Sequence, residues 1–214
     1  MTGFDLDCVD RLLSTTRAVR RRLDLAKPVP RELILDCIRL SQQAPTASNT
    51  QTWRWLLVDD PGKRRELGEL YQQGIPAIQQ SRQQVSADAQ TQRVYASAGW
   101  LAEHLAEVPL IAIPCVVGRL PEPTPLVIAA SVFGSIYQAV WSFQLALRSR
   151  GLGSTFTTLH LLFEEQARKI LGIPEDVTQV ALLPVAWTKG TGFKPAARPP
   201  VESIVHWNRW TGAR

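Results

Sequence analysis

Between Leu126 and Leu147 the chain runs for 22 residues without a charged side chain, a length that reaches across a bilayer. Ser131, Ser135, Gln138, Ser142, Gln144 and Gly134 break the run and dilute its hydropathy below that of a typical span. The stretch therefore reads as a helix buried on most sides inside protein, of the kind shared between subunits. At 214 residues the chain is long enough to build one domain with its own core around such a helix.

The remaining elements alternate in type. PVPRELILDCIRLSQQA places Leu33, Ile34, Cys37 and Ile38 at helical spacing and predicts a helix over about 30–43. The polar loop APTASN leads into WRWLLVDD, a buried strand closed by Asp59, Asp60, Pro61 and Gly62. Residues 62–107 are polar, Gln-rich and helical around a break at Gly74–Pro76, and read as a solvated covering layer. VPLIAIPCVVG is a strand in which Pro114 argues for an edge position or a bulge. FEEQARKILG is a helix stopped by Gly172, and VTQVALLPVAW is one last strand-like run. The class is mixed α and β, a small sheet inside a helical shell.

Several chemistries lack their parts. No G-x-S-x-G elbow, P-loop or H-E-x-x-H is present, and His104, His160 and His206 stand apart from any metal-ligand spacing. Gly151-Leu-Gly153 lacks the third glycine of a dinucleotide fingerprint and follows a helix. Cys8, Cys37 and Cys115 are odd in number and scattered, which implies a reducing compartment and a cytoplasmic location, and no secretory signal opens the chain. His160 reads as a structural hydrogen-bonding side chain, and most of the seven tryptophans as packing.

The net charge of +5 favours anions. TTRAVRRRLD concentrates Arg17, Arg20, Arg21 and Arg22, which read either as a phosphate site or as a solvated basic edge. On an extended backbone Arg20 and Arg22 would share one face, and Arg17 and Arg21 the other.

TTRAVRRRLDLAKPVPRELILDCIRLSQQAPTASNTQTWRW, followed by YQAVWSFQLALRSRGLGSTFTTLH, LGIPEDVTQVALLPVAW and KPAARPPVESIVHW, resembles the FMN-dependent nitroreductase family across most of the chain. The resemblance implies an α+β fold: a three-layer α-β-α sandwich with a small, mainly antiparallel sheet, as a homodimer sharing the central helix. Residues 1–214 would form one FMN-binding domain, with a variable helical lid over about 62–107.

Carried over residue by residue, the resemblance puts the family's opening basic motif on Arg17, Ala18 and Arg20. The first arginine would hold the FMN phosphate and the second would lie near the pyrimidine edge of the ring at N1 and O2. Ala18 stands where serine is usual. The loop motif falls on Ala44, Pro45, Thr46, Asn49, Gln51 and Trp53, with Thr52 in place of proline, and would reach the flavin of the partner subunit. GLGSTFTTLH would run along the flavin through Thr157, Thr158 and Leu159, with the backbone N–H of Thr158 or Leu159 donating to N5. Lys194 and Arg198 would return to the phosphate, and Ser135 begins a turn motif in which Gln138 replaces proline.

The activity implied is hydride transfer from NADH or NADPH through FMN to a nitroaromatic, quinone or similar electron-poor acceptor by a ping-pong mechanism, with no catalytic side chain and no metal. Alternatives are an FMN-storing protein with little turnover and a flavin-dependent dehydrogenase or dehalogenase of the same family. The expected partners are a second copy and a small-molecule acceptor, with neither nucleic acid nor membrane.

Overall fold

The computed structural model describes residues 3–83 and 88–211; residues 84–87 of the expected lid lie outside the described residues. In chain order the elements are α1 (Leu6–Thr15), β1 (Leu23–Asp24), α2 (Arg31–Ser41), β2 (Trp53–Val58), α3 (Pro61–Gln72), α4 (Ile75–Gln83) and α5 (Ala89–His104). Then follow β3 (Leu110–Val117), α6 (Leu126–Ser149), β4 (Leu152–Ser154), α7 (Glu164–Leu171), β5 (Val177–Gln179) and β6 (Leu183–Thr188).

The sheet runs β1-β6-β3-β2, with β4 on β6 and β5 on β3, and these pairings are antiparallel. Alternation along β3 divides the core. Ile111, Ile113 and Cys115 pack with Leu67, Tyr71, Leu101 and Leu105, while Leu110, Ala112 and Val116 pack with Ile34, Ile136, Val140 and Phe143. Helices α3, α5 and α7 thus cover one face and α2 and α6 the other, the expected three-layer α-β-α sandwich. Because both faces are covered, β3 reads in sequence as an unbroken apolar run.

Three expectations change. Pro114 sits in the central strand and not at an edge, but opposite a bulge: between the Ala112–Leu183 and Cys115–Gln179 pairs the partner strand carries one residue more than β3. It falls where β3 changes partner from β6 at Ala112 to β5 at Cys115, and only its carbonyl is called on, by Val180 N–H at 3.0 Å. The last apolar run is two strands, because Val180–Leu182 step between β5 and β6. Residues 62–107 are not wholly a solvated layer, since α3 buries Leu67, Leu70 and Tyr71 and α5 buries Leu101 and Ala102.

Helix α6 is buried along one side only. Ser135, Ile136, Ala139, Val140, Phe143, Ala146 and Leu147 face inward, whereas Leu126, Val127, Ile128, Tyr137 and Trp141 are exposed. It ends at Ser149, after which Gly151 takes the left-handed conformation at φ +80°. Three elements escaped the sequence reading: α1, capped by Asp5 accepting from Cys8 N–H at 3.0 Å, and the short strands β1 and β4.

Candidate functional site

The site begins at Val19. Its N–H donates to the Ser154 carbonyl of β4 at 2.9 Å and its side chain is 3% exposed within the core, which pins the segment after α1 against the sheet. Arg17, Ala18 and Arg20, on either side of that pin, open onto one cleft. The Leu23 N–H then closes a turn on the Arg20 carbonyl at 3.0 Å, so the backbone is not extended through Arg22. The expected pairing of faces therefore fails, and Arg17 and Arg20 act together. Arg22 instead holds the C-terminal tail, donating to the Lys189 and Gly192 carbonyls at 2.9 and 3.2 Å with its guanidinium 3.9 Å from the centre of the Phe193 ring.

The cleft encloses about 750 Å³. Arg17 and Arg20 form one wall and Pro195–Arg198 of the tail another; α5 contributes Gln90, Arg93 and Ser97, α6 contributes Trp141 and Gln144, and Thr155 and Phe156 follow β4. Arg17 Nη1 donates to the Lys194 carbonyl at 3.1 Å, joining the first two walls. Four arginines line this space, Arg17, Arg20, Arg93 and Arg198, and among the described residues no carboxylate does. An adjoining cleft of about 400 Å³ shares Arg20, Val94 and Phe156 and extends to Tyr71, Thr157, Thr158 and Leu159.

Charge and hydrogen bonding agree on the kind of guest this space suits. Burial lowers the Arg20 pKa, with Tyr71 opposing, and the side chain's one hydrogen bond among the described residues is a long one to Ser97 Oγ, 3.4 Å. A half-buried cation with no carboxylate beside it calls for an anionic guest. Thr155 Oγ1 is buried on the cleft wall and finds no protein partner. Burial also raises the Tyr71 pKa, keeping the phenol protonated 2.6 Å from Thr157 Oγ1. The Thr157 N–H is committed to the Leu182 carbonyl at 3.1 Å, whereas Thr158 and Leu159 open the 3-10 turn Leu159–Phe163, where the first amides have no partner within the turn.

Of the residues singled out in the sequence, Arg17, Ala18, Arg20 and Arg198 line the main cleft, and Thr157, Thr158 and Leu159 the adjoining one. Lys194 takes part through its carbonyl. Pro45, Thr46, Asn49, Gln51 and Ser135 line neither. Their loop is docked on α6, with Ala47 N–H donating to Ser135 Oγ at 2.9 Å and Gln51 Nε2 to Asn49 Oδ1 at 2.8 Å.

His160 does not behave as expected. It is fully buried within the 3-10 turn Leu159–Phe163, and neither ring nitrogen has a hydrogen-bond partner among the described residues. The sequence reading also missed Gln90 and Arg93. The Gln-rich composition of α5 suggested a solvated helix, and only the i, i+4 spacing of Arg93 and Ser97 hinted at a shared face.

A profile of the Nitroreductase family matches residues 13–187. The chain belongs to the nitroreductase family. It is 29% identical over 210 residues to an NADH dehydrogenase from Thermus thermophilus, spanning 89% of this chain and 91% of that protein. It is 25% identical over 204 residues to iodotyrosine deiodinase 1 from Rattus norvegicus, spanning 91% of this chain and 67% of that protein. Among solved structures, oxidized iodotyrosine deiodinase bound to FMN and 3-iodo-L-tyrosine superposes with a TM-score of 0.70 at 20% identity, covering 93% of this chain and 98% of the other. The nitroreductase fold is therefore common to enzymes named for different reactions, and the cleft has to supply the rest of the functional argument.

Proposed function

We propose that this nitroreductase-family protein is an FMN-dependent oxidoreductase that takes hydride from NADH or NADPH and passes it to an electron-poor acceptor such as a nitroaromatic or quinone, donor and acceptor using the site in turn. The convergence of Arg17 and Arg198 on one acid-free cleft carries this reading. A phosphate monoester bears a charge of about −2, which two guanidinium groups match bidentately. Thr155 Oγ1, which lines the same cleft and has no partner among the described residues, is available to a ribityl or phosphate oxygen.

FMN, when bound, supplies the hydride chemistry. The residues of the chain do the rest. Arg17 and Arg198 hold the phosphate, and Arg20 places a fixed positive charge where negative charge gathers on the reduced pyrimidine edge, which favours reduction. The amides of Thr158 and Leu159 orient the ring by donating toward N5. No side chain is required as acid, base or metal ligand.

The working unit in this reading is a homodimer. Leu126, Val127, Tyr137 and Trp141 leave an apolar strip on one face of α6, and Trp141 also borders the cleft, so the strip reaches the cleft. In this dimer the Ala44–Gln51 loop, seated on the same helix through Ala47 N–H and Ser135 Oγ, would reach the partner's cleft.

The test is direct: apoprotein titrated with FMN should quench flavin fluorescence one-to-one per chain and then oxidise NADH or NADPH with menadione or a nitroarene. Absence of FMN uptake overturns the reading. Uptake without turnover replaces it with flavin storage.

A further inference from the structure

Arg93 is the cation that the flavin reading leaves over. Arg17 and Arg198 are assigned to the phosphate and Arg20 to the ring, yet a fourth guanidinium lines the same cleft. Arg93 lies one turn before Ser97 on α5, and Ser97 Oγ receives the hydrogen bond from Arg20, so Arg93 shares the helix face turned toward the arginine segment. A second contact, Arg21 Nη2 to the Ala96 carbonyl at 3.4 Å, helps hold α5 in that position.

Arg93 makes no ion pair with any described residue. Asp88 is the charged neighbour, but its carboxylate is engaged in capping α5, accepting from Gln90 N–H at 2.8 Å, Thr91 N–H at 2.9 Å and Thr91 Oγ1 at 2.5 Å. Four like charges around one cleft repel one another, and the phosphate and reduced ring together answer only three of them.

We infer that Arg93 selects reactants carrying an anionic group, a phosphate on the nicotinamide donor or a carboxylate on the acceptor. The inference rests on the flavin reading and adds the class of reactant. Arg93 is an exposed residue of α5 that lines the cleft, where a molecule entering over the ring would meet it.

The experiment uses wild type, Arg93→Gln, Arg93→Glu and Arg93→Lys as FMN-loaded protein. FMN affinity is measured first, then each half-reaction separately by stopped flow. NADPH is compared with NADH in flavin reduction, and 4-nitrobenzoate with 4-nitrobenzyl alcohol in reoxidation. The ratio of rate constants for the anionic over the less charged member should fall about tenfold in Arg93→Gln, the size of one charge-assisted contact. It should fall further in Arg93→Glu and recover in part in Arg93→Lys. A fall in the donor ratio assigns the anion to NADPH, and a fall in the acceptor ratio assigns it to the acceptor carboxylate. Both ratios unchanged in Arg93→Gln overturn the inference, and so does a loss of FMN affinity as large as the loss of selectivity, which would make Arg93 a cofactor ligand. Wild type that binds no FMN would sink the flavin reading itself, a result visible in the first measurement.

Discussion

The Arg17 guanidinium donates to the carbonyl of Lys194, 177 positions later, at 3.1 Å. This contact fastens the C-terminal tail beside the start of the sheet and sets Arg198 on the same cleft as Arg17. The anion site and the docking of the tail are thus one structure.

Removing either arm should weaken the cofactor. Hydrogen bonds to a charged group contribute about 1.5–3 kcal/mol, so Arg17→Ala should raise the FMN dissociation constant about 10- to 100-fold. Arg198→Ala should do the same, and the double variant should lose less than the sum because both groups serve one phosphate. Fluorescence titration of the four proteins checks this; strict additivity would mean that the two arginines serve separate ligands.

Gly153 in β4 admits no side chain. A Cβ there would lie 2.7 Å from Thr188 Cγ2 and 3.0 Å from the Val19 side chain, both β-branched and packed. Gly153→Ala should cost about 1–3 kcal/mol of stability by overpacking. By pushing on Val19 it should also displace Arg17 and Arg20, so FMN affinity should fall together with Tm. Unchanged affinity in a destabilised variant would show that Val19 does not set the arginine positions.

His160 makes stability depend on pH. Its burial without partners pushes its pKa down to about 4. An unfolded histidine titrates near about 6.5, so below that pH the unfolded chain takes up a proton that the folded chain does not. Stability is therefore unaffected by this group above about pH 6.5 and declines by about 1.4 kcal/mol per unit as pH falls toward 4. Urea denaturation at pH 7 and pH 5 should show a drop about 2 kcal/mol larger in wild type than in His160→Leu. Equal drops would mean that the ring is protonated in the folded state.

The α6 strip offers a test of assembly. Val127 is 71% exposed and distant from the core, so Val127→Glu should leave the chain folded. In the dimeric reading it buries a carboxylate, and sedimentation should report monomers that have lost FMN. A stable, flavin-loaded dimer of this variant would place the interface elsewhere.

Much of this was legible along the chain because it depends on local rules. The α2 pattern, the Gly151 and Gly172 stops and the both-sides-buried run of β3 follow from periodicity and backbone freedom alone. Pro114 misled because a missing N–H normally marks an edge, and the change from β6 to β5 opposite it is visible only once both strands are laid down. Arg22 misled because the turn between Arg20 and Leu23 is closed by a single backbone hydrogen bond that leaves no strong mark in residue type.

By itself, then, the order of amino acids determined the longer helical and extended stretches, α2, β2, β3, α6 and α7, and that basic residues abound near the start of the chain. Local sterics and side-chain period need no distant partner. Tertiary structure alone decided that Arg17, Arg20, Arg93 and Arg198 face one space without a carboxylate, while Arg22 turns away to the tail. Such a charge cluster arises from segments far apart in sequence that the sheet holds against their mutual repulsion.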